Sequence, residues 1–284
     1  MRTQRRIRFT ILLGAAFACS LYGAALAAKP DLTPAVPKIA YSDLVDMTDS
    51  AQLVVRAKVR RIIRVENERA RGLQAGHGRF YIQAQTVALL SGTSPLGESL
   101  AYLVDLPLDA KGKPPKLKKL DVLLFARPVP NRSGELQLVA PDAQLLWSQS
   151  DEDRLRAILS ELVSPDAPGK VSGVREIIHV PGTLAGEGET QIFLQTTNGS
   201  PASITVSHRP GMPSAWGVSF TELVANVARP PVRETLEWYR LACFLPNSLP
   251  RDANLSEGPD ARAKAIADYR FVLGDLGVCG RNRR

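Results

Sequence analysis

Apolar and polar residues alternate with a period of two over residues 53–65. Leu53, Val55, Ala57, Val59, Ile63 and Val65 share one face, broken only by Arg61, and Arg56, Lys58, Arg60 and Arg64 line the other. This alternation predicts a long strand with one buried and one basic side. Ahead of it, residues 41–50 hold apolar Val45 and Met47 with acids in the first turn, predicting a short helix with Ser42 as its N-cap. Beyond a charged connection, apolar runs at residues 80–90, 100–106, 122–126 and 136–139 are bounded by glycine, proline or the turn Asn131-Arg132-Ser133-Gly134. These are predicted strands. Five short strands after a helix point to a small closed barrel, because closure removes exposed strand edges.

The period then becomes helical. Leu155, Ile158, Leu159 and Leu162 recur at helix spacing in residues 151–162, with acids in the first turn to suit the helix dipole. Ser164-Pro165-Asp166-Ala167-Pro168-Gly169 ends that helix, and a domain boundary is expected there or just before the helix. Strands follow at residues 174–180, 191–197 and 202–208. Asn198-Gly199 predicts a hairpin between the last two. Helices are predicted at 220–228, 232–244 and 260–273, separated by proline-containing breaks. On the middle helix Val232, Leu236, Tyr239 and Cys243 form one stripe; Ala263, Ile266, Arg270 and Leu273 mark one side of the last. Trp216, Trp238 and Tyr239 are read as core packing.

The amino terminus changes the meaning of the composition. Arg2, Arg5, Arg6 and Arg8 precede an apolar run that ends in Ala25-Leu26-Ala27, with Lys29-Pro30 beyond. This is the pattern of a cleavable secretory signal over residues 1–28, cut after Ala27 or Ala28, followed by a proline-rich leader over 29–40. The rival is an uncleaved anchor, but the apolar run is shorter than the ~20 residues that span hydrocarbon. Ala16, three places before Cys19, argues against lipid attachment. Removal takes away four arginines and no acid, so the formal charge falls from +8 to +4. A nucleic-acid partner is not expected of a protein so exported, and the mature chain has no predicted membrane span. The expected location is periplasmic or secreted.

Asp43-Leu44-Val45, residues 51–59, residues 80–92 with Leu89-Leu90-Ser91-Gly92, and residues 116–125 ending in Leu123-Leu124-Phe125 together resemble an OB-like barrel found in many bacterial exported proteins, most without an assigned activity. The resemblance covers residues 41–149 and implies no catalytic residues. Leu120-Asp121 stands where that family usually has Gly-Glu, which leaves the turn there open. The expected fold class is therefore α+β: an OB-like barrel over 41–149, a helix and linker over 150–170, and a mixed strand and helix domain over 171–284 ending in helices.

Candidate chemistry is sparse. Cys243 and Cys279 form an even pair in an oxidising compartment, predicting a disulfide between the last two helices; two buried thiols are the alternative. No metal-ligand spacing, phosphate loop or nucleophile elbow occurs, so neither metal nor cofactor is expected. Of three histidines, His77 lies between glycines and reads as an exposed loop residue. His179 and His208 fall on strands, where histidines are usually structural. The catalytic alternative is a hydrolytic site built from them with Glu187, Glu189 or Ser219, since a base within hydrogen-bond reach activates a hydroxyl. Lys111, Lys113, Lys116, Lys118 and Lys119, with Arg56, Lys58, Arg60 and Arg64, form either a solvated face or a patch for an anionic envelope polymer. The favoured expectation is a non-enzymatic binding or assembly module with an envelope protein or such a polymer as partner.

Overall fold

Helix α1, Tyr41–Ser50, forms where predicted and turns Leu44, Val45 and Met47 fully into the core. The computed structural model describes residues 39–221 and 229–283. The signal segment and most of the leader therefore lie outside the described residues, as does most of the helix expected at 220–228. The N-cap of α1 is Ala40, with no side-chain hydrogen bond, and Ser42 sits buried inside the first turn.

Strands β1 (Leu53–Arg64), β2 (His77–Ser91), β3 (Ser99–Pro107), β4 (Asp121–Pro128) and β5 (Glu135–Leu138) run in the order β1-β2-β3-β5-β4, and β4 pairs back onto β1. The sheet is thus a closed five-stranded mixed barrel, compatible with an OB-like barrel. Its pairings are antiparallel except β3 with β5, which pair in parallel at Ala101↔Glu135 and Tyr102↔Leu136. A short strand β6, Gln144–Leu146, absent from the sequence prediction, adds to β4.

Strict alternation along β1 ends at a register shift: Val59 faces Ala84 and Arg61 faces Gln83, leaving Arg60 as the extra residue. A one-residue shift exchanges the two faces of a strand. Ile62 accordingly packs against the core, whereas Ile63, expected inside, is 37 % exposed. In β4 the run Val122, Leu123, Leu124, Phe125 and Ala126 is buried on both faces, one inside the barrel and the other beneath covering elements that include α1. A strand covered on both sides reads as a continuous apolar run, as these residues do. The turn before β4 places Lys119 at φ 72°, in the left-handed region, immediately ahead of Leu120-Asp121.

Helix α2, Gln149–Leu162, is capped by Ser148, whose hydroxyl accepts from the Asp151 amide. The second sheet is an antiparallel meander of β7 (Val171–Pro181), β8 (Gly188–Thr196), β9 (Ser203–His208) and β10 (Ala215–Ser219). Asn198-Gly199 turns between β8 and β9 with Gly199 at φ 75°, as the hairpin signal predicted. Helix α3 is only Leu236–Ala242; Val232 lies outside it and is 64 % exposed. Helix α4, Gly258–Leu276, packs on β7 and β8 through Ala265, Asp268, Tyr269, Val272 and Leu276. That face replaces the predicted stripe, since Ile266 is 39 % exposed and Arg270 points to solvent.

The fold class is α+β. One continuous hydrophobic cluster runs from the barrel through α1, α2 and α3 to the second sheet and α4, with Trp216, Trp238 and Tyr239 inside it. Cys243 and Cys279 are joined in a disulfide, Cα–Cα 5.0 Å, which ties the end of α3 to the segment after α4. Ser42 Oγ lies 3.3 Å from Cys279 Sγ and 3.6 Å from Cys243 Sγ. Bridged sulfurs carry no hydrogen, so the hydroxyl is the donor. Among the described residues no helix is long and apolar enough to cross a membrane.

Candidate functional site

His179 on β7 and His208 on β9 come together, ring centroids 6.1 Å apart. What they share is not among the acids expected for them. Asp268 enters from α4, and its Oδ2 accepts from His208 Nε2 at 2.9 Å and from Thr190 Oγ1 at 2.5 Å. Lys264, one turn earlier on α4, donates to Asp268 Oδ1 at 2.9 Å. Thr190 Oγ1 is also 2.8 Å from His179 Nδ1, and Ser214 Oγ is 2.9 Å from His208 Nδ1. Asp268, Thr190, His179 and His208 are all buried.

The proton positions follow from the acceptor in the middle. An ionised carboxylate only accepts, so His208 carries a hydrogen on Nε2, and in the neutral ring Nδ1 is then the nitrogen that can accept from the Ser214 hydroxyl. Thr190 spends its one hydrogen on Asp268, so His179 donates from Nδ1 to the threonine oxygen. Burial pushes the Asp268 pKa up, but hydrogen bonds from Thr190, Lys264 and His208 outweigh it and hold the carboxyl below its usual range. Burial lowers the pKa of His179, the nearby Asp268 opposes this without reversing the shift, and the neighbouring His208 and Lys264 add to the lowering.

Glu187 and Glu189 take no part. Glu187 accepts from the Leu184 amide at 3.2 Å within its own exposed loop. Glu189 precedes Thr190 on β8, so alternation sends it to the opposite, solvent side, where it accepts from Gln191. Ser219 pairs with Ser203, far along the hairpin from His208, and bonds with Thr221. His77 begins β2, its Nδ1 donating to the Ala75 carbonyl at 3.2 Å. Sequence reading missed Asp268, Thr190, Lys264 and Ser214. Asp268 carried a usable signal: an acid at i+3 from Ala265 on a helix face that continues with Tyr269 and Val272.

The basic residues divide into two groups. Arg56 stacks on Trp147, 3.7 Å from the ring centroid, and bonds Asp121 and Glu152, while Lys58 pairs with Asp121 at 3.6 Å. The Trp147 indole N–H donates to Glu152 at 2.6 Å and, with Arg156 and Arg56, holds that carboxyl below its usual range against the effect of burial. Arg60 donates to Gln85, and Arg64 donates to the Gly112 carbonyl at 3.2 Å. Lys111, Lys113, Lys116, Lys118 and Lys119 are exposed.

On the barrel wall a groove of about 670 Å³ crosses β2, β3 and β5. Tyr81, Leu103, Val129, Leu136 and Val139 line it, with Leu103 49 % exposed in mid-strand. The ion pair of Arg79 with Asp105 stands at one edge, 2.7 Å, and that of Arg132 with Glu135 at another, 3.2 Å. Tyr81, Ala101 and Glu135 also line an adjoining depression of about 730 Å³, whose further walls carry Arg60, Gln83, Gln85 and Glu98. The two depressions meet at these three residues, the first lined mainly by apolar and the second mainly by polar side chains. Tyr102 beneath the first donates to Gln144 at 2.6 Å, and burial raises its pKa far above the usual phenol value.

No protein-family model matches this chain, and no curated protein matches it.

Proposed function

We propose that this is an exported binding or assembly module whose OB-like barrel receives an extended segment of an envelope protein along the β2–β3–β5 groove. One observation carries the reading. Leu103, half exposed in the middle of a strand, lies directly opposite Tyr81 and lines the groove with Val129 on a wall whose charges are already paired with each other. A surface with neutralised charge and an apolar floor favours a ligand with apolar side chains over a charged polymer. The polar depression next to it suits the main chain and polar side chains of the same segment. Export is supported by the leader pattern of residues 1–28 and agrees with the disulfide. The barrel order and the residues quoted above support kinship with the OB-like exported proteins.

The test places a photo-crosslinking amino acid at position 103 of the full chain in a bacterial host. Irradiation should trap a defined envelope partner, and Tyr81→Ala or Val129→Asp should abolish the adduct while Lys118→Ala leaves it intact. An adduct indifferent to the groove variants removes this reading.

A further inference from the structure

We infer that Ser214, His208 and Asp268 form a second, separate site: a serine nucleophile with its base and positioning carboxylate, acting on carboxylic esters. The three residues come from two elements that nothing in the barrel requires to meet, the β9–β10 hairpin and α4. Ser214 is exposed at the hairpin, His208 is 9 % exposed behind it, and Asp268 is 2 % exposed behind that. Exposure thus falls along the chain of hydrogen bonds, 2.9 Å from Ser214 Oγ to His208 Nδ1 and 2.9 Å from His208 Nε2 to Asp268 Oδ2. A hydroxyl at the surface, a base behind it and a buried acid that fixes the base's tautomer are the roles a serine hydrolase needs. The imidazole is used in the reverse sense, Nδ1 toward the serine and Nε2 toward the acid. Either ring nitrogen can act as the base once the other's hydrogen is fixed by a hydrogen bond, here Nε2 to Asp268, so the roles survive the reversal.

Asp268 is itself held in place. Thr190 and Lys264 donate to it, one to each oxygen, and His179 supports Thr190 from behind. Lys264 sits on the far oxygen, with its side chain 40 % exposed, so its charge bears on His208 through the Asp268 carboxylate they share. In the reaction Ser214 Oγ bonds to the ester carbonyl carbon as its proton passes to His208 Nδ1. The imidazolium then lies against the Asp268 carboxylate. Collapse breaks the carbon–oxygen bond to the alcohol, which leaves with the proton from His208. Water attacks the acyl-serine, again giving a proton to His208, and releases the carboxylic acid with Ser214 restored. Because Ser214 stands on an exposed hairpin, an acyl group carried on a large polymer reaches it as readily as a small ester.

Full-length protein treated with a fluorophosphonate probe should be labelled at Ser214, as mapped by peptide mass spectrometry, and heat-unfolded protein should not. Hydrolysis of p-nitrophenyl acetate should exceed that of Ser214→Ala by about a hundredfold, the scale of one positioned base. Ser214 is exposed, so this variant retains the fold, which circular dichroism verifies. Lys264→Met, also at a partly exposed position, should move the pH profile of the reaction without removing the label. Label at other residues, label that survives unfolding, or esterase activity unchanged by Ser214→Ala would overturn the inference. None of these outcomes touches the groove crosslink.

Discussion

His208 Nε2 donates to Asp268 Oδ2 at 2.9 Å, joining the last residue of β9 to the buried face of α4. The bond lies beside two further pins between the second sheet region and the C-terminal helix. Trp216 Nε1 donates to Asp275 at 2.7 Å, and the His179 amide donates to Ser256 Oγ, just ahead of α4, at 2.9 Å. Helix α4 is therefore registered on its sheet by polar contacts as well as by Ala265, Tyr269 and Val272.

Removing the shared acceptor leaves the buried Thr190 and His208 donors without a partner, while the Lys264 ammonium turns to water. Asp268→Ala is expected to destabilise the chain by about 3–5 kcal/mol, the range for breaking a buried ionic group. Urea unfolding followed by tryptophan fluorescence measures it, and a shift under ~1 kcal/mol would show that the donors find other partners.

The same cluster makes the fold acid-sensitive in two stages. His179 has its folded pKa below 6.5, so as pH falls from that value the unfolded chain takes up a proton that the folded chain refuses, and stability declines through the folded pKa. Asp268 has its folded pKa below 3.8, so its contribution is complete above that value and is lost as pH falls through the lower folded pKa. Unfolding free energy measured between pH 8 and pH 3 should be flat at first and fall below about pH 6.5, and His179→Gln should remove the upper stage.

The disulfide closes a loop with a sequence separation of 36. Chain entropy values such a loop at up to about 4 kcal/mol. The double variant Cys243→Ser, Cys279→Ser should lower the urea midpoint accordingly, and reductant should shift wild type toward it but leave the double variant unmoved.

Arg56 and the loop lysines should respond oppositely to truncation. Arg56→Ala loses the stack on Trp147 and leaves Asp121 and Glu152 partly unpaired, at a cost of about 2 kcal/mol, and lysine at this position recovers little because it has no planar fork to stack. Lys116→Ala, Lys118→Ala and Lys119→Ala together should move stability by less than ~1 kcal/mol. Thermal denaturation of the two variants side by side reads the difference.

Lys119 adopts φ 72°, a conformation glycine reaches at no steric cost. Lys119→Gly should raise stability by about 0.5–1 kcal/mol, the left-handed penalty less the extra freedom of glycine in the unfolded chain. A loss of stability would mean that its aliphatic stem contributes packing at that turn.

The periodicity of residues 53–59 and the apolar run 122–126 specified β1 and β4 by themselves, because a pattern of period two has one stable burial in a sheet and an unbroken run has to be covered twice. Asn198-Gly199 likewise specified its hairpin through the backbone geometry that only such residues adopt easily. Cys243 and Cys279 were legible as a pair because the leader pattern sets Cys19 apart and leaves two sulfurs with one partner each. Local pattern failed where a neighbour in space decided the outcome. The bulge at Arg60 turned Ile63 outward, and α4 rotated Asp268, not Ile266, toward the sheet. His179 and His208 were visible as candidates, but their acid lay 60 residues beyond His208 on another element. The sequence thus determined most of the strands and helices, though not β6 or β10, and which side most of them bury, since those depend on the spacing of neighbours along the chain. The folded structure alone decided that Ser214, His208 and Asp268 meet, because hydrogen bonds between distant residues depend on the angle at which two elements pack, and no local spacing records that angle.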